Sequence, residues 1–226
     1  MENNKAKKTL HIAIDGPAGA GKSSVAREIA TRLGIAYLDT GAMYRVVAYK
    51  ALSHGLSIKD EEQVTALAGK IKITFGCGEN PAVYCDGKDV TTEIRSPEVG
   101  RAVSFIASYP GVRECLVNLQ RQEAAKGSVV MDGRDIGTYV LPQAEVKIFL
   151  TASPAERAQR RHQENIMAGK ESNYEEVLAD IKKRDLMDTE RKHAPLKPAP
   201  DAIILDTTDL SQQEVVETII KIVREA

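Results

Sequence analysis

The sequence contains no tryptophan, and its three phenylalanines and seven tyrosines are few for 226 residues. It therefore gives no sign of the aromatic platforms on which single-stranded nucleic acids stack. An excess of charge is also missing, because 31 basic and 32 acidic residues leave a formal net charge of -1. A chain without a basic excess offers no overall field for nucleic acid, so we expect no such partner and interpret its basic residues locally.

Cysteine is scarce as well. Cys77, Cys85 and Cys115 contain no Cys-x-x-Cys pair, and their number is odd. This pattern argues against a disulfide framework and against a zinc site, so we expect buried or incidental thiols. The four histidines show no metal-ligand spacing either.

Long apolar runs are absent. No segment approaches the length that crosses a bilayer, and residues 1–8 are polar and rich in lysine rather than apolar like a signal peptide. We therefore expect a cytoplasmic protein without a membrane partner. The length suffices for one substantial core, or for one core with an inserted subdomain.

A phosphate-binding pattern stands near the start of the chain. Residues Gly16 to Ser23 read GPAGAGKS, which matches G-x-x-x-x-G-K-[ST]. An apolar run at 10–14 precedes the pattern and predicts a buried strand. Apolar residues at helical spacing follow it as far as Gly34. Strand, glycine loop and helix form the context that a nucleoside triphosphate site requires.

The chemistry of this loop follows from its geometry. Glycines permit a tight turn whose N–H groups point inward, and the positive end of the next helix faces the same spot. Lys22 can reach the β- and γ-phosphates, and the hydroxyl of Ser23 can bind Mg²⁺. Asp132, which ends a later apolar strand, is a second candidate for the metal site. Capping of the following turn is an equally good interpretation of Asp132.

Five short apolar runs predict a parallel sheet covered on both faces. They occupy 10–15, 35–38, 128–131, 146–150 and 202–205, and predicted helices separate or follow them. This alternation is typical of a three-layer α/β fold of the P-loop NTPase type. Ligands of such sheets bind at the carboxyl ends of the strands. Arg45, soon after the second strand, is either a contact for a second anion there or a solvated surface charge.

The alternation is interrupted between residues 57 and 127. A short helix at 60–70 precedes strand-like stretches at 71–75 and 82–85, which predict a small antiparallel element. Two helices follow, near 96–108 and 110–126. We interpret 57–127 as an inserted subdomain within a single domain that spans 1–226.

Two groups of charged residues lie on the predicted helices before the last strand. The first group, at i, i+3 and i+4, is Arg157, Arg160 and Arg161; the second, at i, i+4 and i+7, is Arg184, Asp188 and Arg191. Each group is predicted to share one side of its helix. Because guanidinium groups bind phosphate bidentately, both groups are candidates for a phosphate-binding cleft. The alternative is a pair of solvated faces with weak ion pairs.

Five segments together resemble those of bacterial cytidylate kinases. They lie at 15–23, 39–45, 132–137, 153–161 and 184–191, and read DGPAGAGKS, DTGAMYR, DGRDIG, SPAERAQRR and RDLMDTER. The resemblance covers nearly the whole chain in order, and its second and third segments are its most specific ones. It implies a monomeric enzyme that uses Mg²⁺ and transfers the γ-phosphoryl group of ATP to CMP or dCMP, giving ADP and CDP or dCDP.

The same resemblance implies roles for individual residues. ATP would be bound by Gly16, Pro17, Ala18, Gly19, Ala20, Gly21, Lys22, Ser23, Ser24, Arg157, Arg160 and Arg161, the three arginines belonging to a lid at 153–170. The CMP phosphate would be held by Arg45, Arg134 and Arg191, the cytosine edge by Ser104, Arg113 and Asp135, and the sugar by Arg184 and Asp188. Thr40 would line the acceptor site, Ser23 and Asp132 would serve the metal, and 57–127 would be the NMP-binding subdomain. Lys22, Arg134, Arg157 and Arg191 would be catalytic.

Two other functional classes remain compatible with the sequence. One is a P-loop kinase that acts on another nucleoside monophosphate or on the hydroxyl of a metabolite. The other is a non-catalytic ATP-binding module, which would bind ATP without releasing ADP when an acceptor is added.

Overall fold

The computed structural model describes residues 9–76, 78 and 81–226. The polar start of the chain, the thiol of Cys77 and part of the turn expected at 76–81 lie outside the described residues. Of the other two cysteines, Cys85 is buried and free, and Cys115 is half-buried and free. No helix among the described residues is long and apolar enough to cross a membrane.

Strands and helices alternate through most of the described chain. In order they are β1 (His11–Asp15), α1 (Lys22–Leu33), β2 (Ala36–Asp39), α2 (Thr40–Ser53), α3 (Glu61–Ala68), β3 (Ile73–Phe75), β4 (Val83–Cys85), β5 (Lys88–Asp89), α4 (Pro97–Ile106), α5 (Pro110–Ala124), β6 (Val129–Gly133), β7 (Val146–Thr151), α6 (Pro154–Met167), α7 (Tyr174–Glu190), β8 (Ile203–Asp206) and α8 (Gln212–Glu225). A 3₁₀ turn at Glu93–Arg95 precedes α4, and a π-helical turn at Ile136–Val140 follows β6.

The predicted five-stranded parallel sheet is confirmed. Its order is β2-β6-β1-β7-β8, and every neighbouring pair is parallel. All five carboxyl ends therefore meet at one edge, where β1 leads into the glycine loop and β6 into the segment Arg134–Asp135. Residues from four distant parts of the sequence are thus brought to one place by strand order alone.

Alternation along the strands produces two hydrophobic clusters, one on each face of the sheet. Ile12 and Ile14 of β1 face the cluster formed with α1 and α8. Ala13 faces the other cluster, which contains α2 and continues into the buried residues of α3, β4, α4 and α5. The inserted segment therefore shares a continuous core with the sheet, and α2 forms the link between them.

The small antiparallel sheet has a third strand that the sequence analysis missed. Asp86 and Gly87 have φ angles of 52° and 82°, which are the left-handed values of a two-residue hairpin turn. The chain therefore reverses there, and Lys88 pairs with Cys85. The sheet order is β3-β4-β5.

Candidate functional site

The glycine loop is shaped by close backbone contacts. A Cβ atom added at Gly16 would lie 2.0 Å from the carbonyl oxygen of Leu150 in β7, so only glycine fits there. Gly21 is the N-cap of α1 and has a φ of 78°, and it offers no side chain that could cap the helix. The first N–H groups of α1 therefore remain available to an anion, and the helix dipole favours one.

Lys22 is buried at the start of α1, and its Nζ donates to the carbonyl oxygen of Pro17 at 2.7 Å. This bond folds the side chain back over the loop. Burial, followed by repulsion from Arg134, lowers the pKa of Lys22 to about 7. A bound phosphate would favour the charged form, because a nearby anion offsets the cost of burying the ammonium group.

Asp132 forms the floor of the site at the end of β6. The hydroxyl of Ser23 donates to its Oδ2 at 2.8 Å, and the hydroxyl of Tyr37 donates to its Oδ1 at 2.8 Å. Thr40 donates to its backbone carbonyl oxygen at 2.7 Å. Burial raises the pKa of Asp132 to about 6. The carboxylate is thus occupied with two side chains of the site, and not with capping the turn after β6.

These residues fit a magnesium ion that is bound mainly through its nucleotide. The adjoining hydroxyl of Ser23 and carboxylate of Asp132 are hard oxygen donors of the kind that Mg²⁺ prefers. Within the described ranges no group of three or more histidine, cysteine or acidic residues could hold a metal by itself. Mg²⁺ commonly uses one or two protein ligands and completes its shell with phosphate and water.

The three arginines predicted to share one side of α6 have different surroundings. Arg157 is buried, and donates to the carbonyl oxygens of Ala18 and Ala152 at 2.9 Å each and to Asp185 at 2.8 Å. Arg160 donates to the carbonyl oxygen of Thr207 at 2.5 Å and pairs with Glu156.

Arg161 is half-exposed, pairs with Glu164 at 3.1 Å, and lies near enough to Arg45 and Arg184 to repel both. All three arginines lie on α6, so the expected common side holds for the positions at which they leave the helix. Positions i, i+3 and i+4 leave the helix in neighbouring directions, but each long side chain reaches its own partner.

Positive charge converges on the other side of the cleft. Arg45 of α2 donates to the carbonyl oxygen of Ile94 at 3.2 Å, and Arg184 of α7 donates to that of Gly100 at 2.7 Å. Burial lowers the pKa of Arg45 to about 10, and repulsion from Arg184 adds to the effect. Burial and repulsion from Arg134 likewise lower the pKa of Arg184. Half-buried arginines that repel one another favour the binding of an anion.

The remaining predicted acceptor residues meet at the turn after β6. Arg134 pairs with Asp188 at 2.8 Å, and Asp135 lies between Arg113, which contacts its Oδ2, and Arg191, 3.3 Å from its Oδ1. Arg191 also donates to the carbonyl oxygen of Ala194 at 2.6 Å. Ser104 lies on α4, one turn beyond Gly100. Arg45 is close enough to Arg184, and Arg184 to Arg134, for their charges to repel, so residues of α2, α7 and the turn after β6 lie close together.

Sequence reasoning missed three residues that organise the site. Tyr37 and Asp185 orient Asp132 and Arg157. Tyr37 lies outside the recognised segments, and Asp185 lies within 184–191 but was given no role. Asp15 precedes the glycine loop, and its carboxylate accepts from the N–H groups of Ile136 at 2.7 Å and Gly137 at 2.8 Å. A polar residue at the end of a buried strand was the available signal for Asp15.

Comparison with known proteins gives one family. The family model described as cytidylate kinase matches residues 12–225. A protein called cytidylate kinase from Desulfitobacterium hafniense (strain Y51) is 57% identical over 216 residues, covering 96% of this chain and 93% of the relative. Another, from Bacillus cereus (strain ATCC 10987 / NRS 248), is 52% identical over 217 residues, covering 96% of each.

Solved structures agree at the level of the fold. A shikimate kinase from Bacteroides thetaiotaomicron superposes with a TM-score of 0.50 at 16% identity, covering 96% of this chain and 99% of that one. An uncharacterized protein from Eubacterium ventriosum ATCC 27560 gives 0.52 at 14% identity, covering 96% and 99%. At such low identity the likeness concerns only the arrangement of sheet and helices.

Proposed function

The chain belongs to the cytidylate kinase family, and from that premise we propose how its cleft transfers the γ-phosphoryl group of ATP to CMP. The products are ADP and CDP. Use of dCMP, with dCDP as product, is part of the proposal. The observation that carries it is the proximity of half-buried, mutually repelling arginines, Arg45, Arg184 and Arg134, at the carboxyl edge of the sheet that also carries the glycine loop.

The donor site is the loop from Gly16 to Ser23, with Ser24 in the first turn of α1. Its inward N–H groups and the start of α1 bind the phosphates of ATP, and Lys22 donates to the transferred group. Lys22 exchanges its bond with Pro17 for the phosphate, which restores full charge to the amine. Ser23 and Asp132 would hold Mg²⁺, which neutralises charge on the β- and γ-phosphates when it is bound.

The acceptor site lies across the cleft. Arg45, Arg134 and Arg191 hold the phosphate of CMP, and Thr40 lines the floor between that phosphate and Asp132. Arg184 and Asp188 contact the sugar. Asp135, fixed between two arginines, reads the cytosine edge together with Arg113 and Ser104. The inserted segment 57–127 supplies Ser104 and Arg113, and so acts as the NMP-binding subdomain.

Transfer requires little proton chemistry from the protein. The attacking oxygen belongs to the CMP phosphate, which is already ionised at neutral pH, so no strong general base is needed. The protein aligns the two phosphates and surrounds the transferred group with fixed positive charge. Lys22, Arg134, Arg157 and Arg191 are the catalytic residues of this proposal.

Residues 153–170 form the proposed lid over ATP. Arg161, with half of its side chain exposed, is free to turn towards the nucleotide once its weak pair with Glu164 opens. Arg157 and Arg160 act from the base of the segment, where they meet the glycine loop and residues 207–208. Closure would exclude water and so suppress hydrolysis of ATP.

A coupled ADP-release assay with ATP, Mg²⁺ and a panel of CMP, dCMP, UMP, AMP and shikimate tests the function. We expect CMP to give the highest rate. Stimulation by shikimate or AMP instead would favour another small-molecule kinase, and ATP binding without any acceptor-dependent ADP release would favour a binding module. We further propose that the protein is cytoplasmic and monomeric. Sedimentation of the purified chain would check the monomeric state.

Lys22→Ala tests the donor site directly. Lys126→Ala is its matched control, because Lys126 is exposed and its side chain pairs with Glu123, three residues earlier. Lys22→Ala is expected to remain folded by circular dichroism and to lose turnover by about 100-fold or more. Turnover close to that of the Lys126→Ala variant would refute the assignment of the loop.

A further inference from the structure

The π-helical turn after β6 begins with N–H groups that have no partner inside the turn. Ile136 and Gly137 are its first two residues, and both N–H groups point at one buried carboxylate, that of Asp15 in β1. The bonds, 2.7 and 2.8 Å long, join residues 121 and 122 positions apart. Asp15 therefore caps a turn to which it does not belong.

The residue that would ordinarily cap this turn is engaged elsewhere. Asp135 occupies the N-cap position, where an aspartate side chain usually accepts from the N–H groups that follow. Its side chain caps nothing here, because Arg113 contacts one oxygen and Arg191 the other. The cap supplied by Asp15 leaves the carboxylate of Asp135 to its contacts with Arg113 and Arg191.

We propose that Asp15 is a positioning residue for acceptor recognition: by capping the turn from the neighbouring strand, it frees Asp135 and holds Asp135 in place for the base. Asp15 is also the last residue before the glycine loop. One buried side chain thus ties the acceptor-reading turn to the strand from which the donor site begins. It touches neither nucleotide and acts through the backbone of Ile136 and Gly137.

The surroundings leave this connection little freedom. Asp15 is 4% exposed, and a Cβ added at Gly137 would lie 3.4 Å from its Oδ2 and 3.2 Å from Lys147. On the other side of the turn, a Cβ at Gly133 would lie 2.8 Å from the hydroxyl of Thr40. Loss of the cap would leave the buried N–H groups of Ile136 and Gly137 without their acceptor, and this cost favours a displacement of the turn and of Asp135.

The inference rests on the proposed function, and the experiment separates the two. The full chain, as wild type and as Asp15→Asn, is assayed with ATP and Mg²⁺ against CMP and UMP. Asparagine keeps the shape but presents an N–H₂ group to one of the two N–H donors. We expect the ratio of kcat/KM for CMP to that for UMP to fall about tenfold, which corresponds to one impaired charge-assisted hydrogen bond. The KM for ATP should change less than about twofold.

Val216→Ala supplies the control for a purely structural effect. Val216 is fully buried in α8, on the opposite face of the sheet, so its truncation lowers stability without touching the turn. A lower melting temperature with an unchanged CMP/UMP ratio is expected of this variant. The same result in Asp15→Asn would overturn the inference, as would an equal loss of affinity for ATP and CMP.

Two further outcomes are distinguishable. If wild type releases no ADP with any nucleotide acceptor, the proposed function fails. If wild type uses CMP and UMP equally well, the role of Asp135 in base reading fails, and the inference fails with it. Should Asp15→Asn not fold, Asp15→Glu, which keeps the charge and displaces it by one methylene, decides by the same ratio.

Discussion

Arg157 donates a hydrogen bond of 2.9 Å to the carbonyl oxygen of Ala18, in the middle of the glycine loop. The same guanidinium group donates to Asp185 of α7 and to the carbonyl oxygen at Ala152. It is 3% exposed. A residue expected in a lid therefore also belongs to the frame of the loop, and it connects that frame to the helix that carries Arg184 and Asp188.

Replacement of Arg157 by alanine is expected to weaken both stability and catalysis. The change leaves half-buried Asp185 without its charged partner and the carbonyl oxygens of Ala18 and Ala152 without a donor, and these losses together cost about 3 kcal/mol. We expect a loss of that size in urea unfolding, with a higher KM for ATP. Arg161→Ala, in the same helix but half-exposed, should cost less than about 1 kcal/mol. Equal stabilities of the two variants would contradict the role of Arg157 in supporting the glycine loop.

Arg191→Ala is expected to damage use of CMP more than binding of ATP. Arg191 contacts Asp135 and the carbonyl oxygen of Ala194, within the proposed acceptor site. Loss of charge-assisted bonds should raise the KM for CMP by about 10- to 100-fold, while the dissociation constant of ATP stays within about twofold. Arg32→Ala, on the surface of α1, provides the control in steady-state assays. An effect confined to ATP would count against this placement.

Tyr37→Phe tests the support of the proposed metal site. The variant removes the donor to Oδ1 of Asp132 and leaves the bond from Ser23 to Oδ2. We expect the affinity for ATP with Mg²⁺ to fall about three- to tenfold, because Asp132 loses one of two orienting bonds. Affinity for ATP in the presence of a chelator should not change.

Calorimetric titration measures both affinities of the Tyr37→Phe variant. Tyr109→Phe is the matched control, since its hydroxyl donates to Ile58 in the inserted segment. An equal fall with and without Mg²⁺ would show that Tyr37 supports only the nucleotide pocket.

The pH dependence of the free energy of unfolding should include a contribution from the titration of Asp15. Burial raises the pKa of this carboxyl from 3.8 to about 6, so the folded chain holds its proton more tightly than the unfolded chain does. The resulting stabilisation is fully present below pH 3.8 and is lost as the pH rises through about 6. A shift of about two units corresponds to about 3 kcal/mol.

Urea unfolding at several pH values measures this contribution. Between about pH 4 and pH 6.5, the free energy of unfolding of wild type should fall relative to that of Asp15→Asn, which has no proton to release at this position. Parallel profiles for the two proteins would contradict the assignment. Asp132, whose pKa burial also raises to about 6, remains in both proteins and cancels from the comparison.

The sheet and the donor loop could be predicted because their signals are local. The strand before Gly16, the glycine spacing and the helix after Lys22 are adjacent in sequence, and the structure repeats them within a residue or two. The third strand of the small sheet was missed because two residues carry too little pattern. The available signal for this strand was the pair Asp86-Gly87, which forms a hairpin turn into β5 and does not merely end β4.

The connections across the cleft could not be predicted in the same way. Helical spacing places Arg157, Arg160 and Arg161 in related directions, but their partners Ala18 and Thr207 come from segments far away in sequence. Asp15 and Tyr37 act on groups that β6 brings beside them, so their roles depend on strand order. A single sequence states which residues are polar, but not which of them become neighbours.

The strand order β2-β6-β1-β7-β8 also determines at what stage of synthesis the sheet of this enzyme can form. β1 and β2 leave the ribosome first, yet β6, the strand that fits between them, follows only after the whole inserted segment. β7, which backs Gly16 with the carbonyl oxygen of Leu150, comes later still. A growing chain must therefore carry two apolar strands without lateral partners until β6 has been made. Throughout that time it exposes strand edges to other chains and cannot yet shelter a nucleotide.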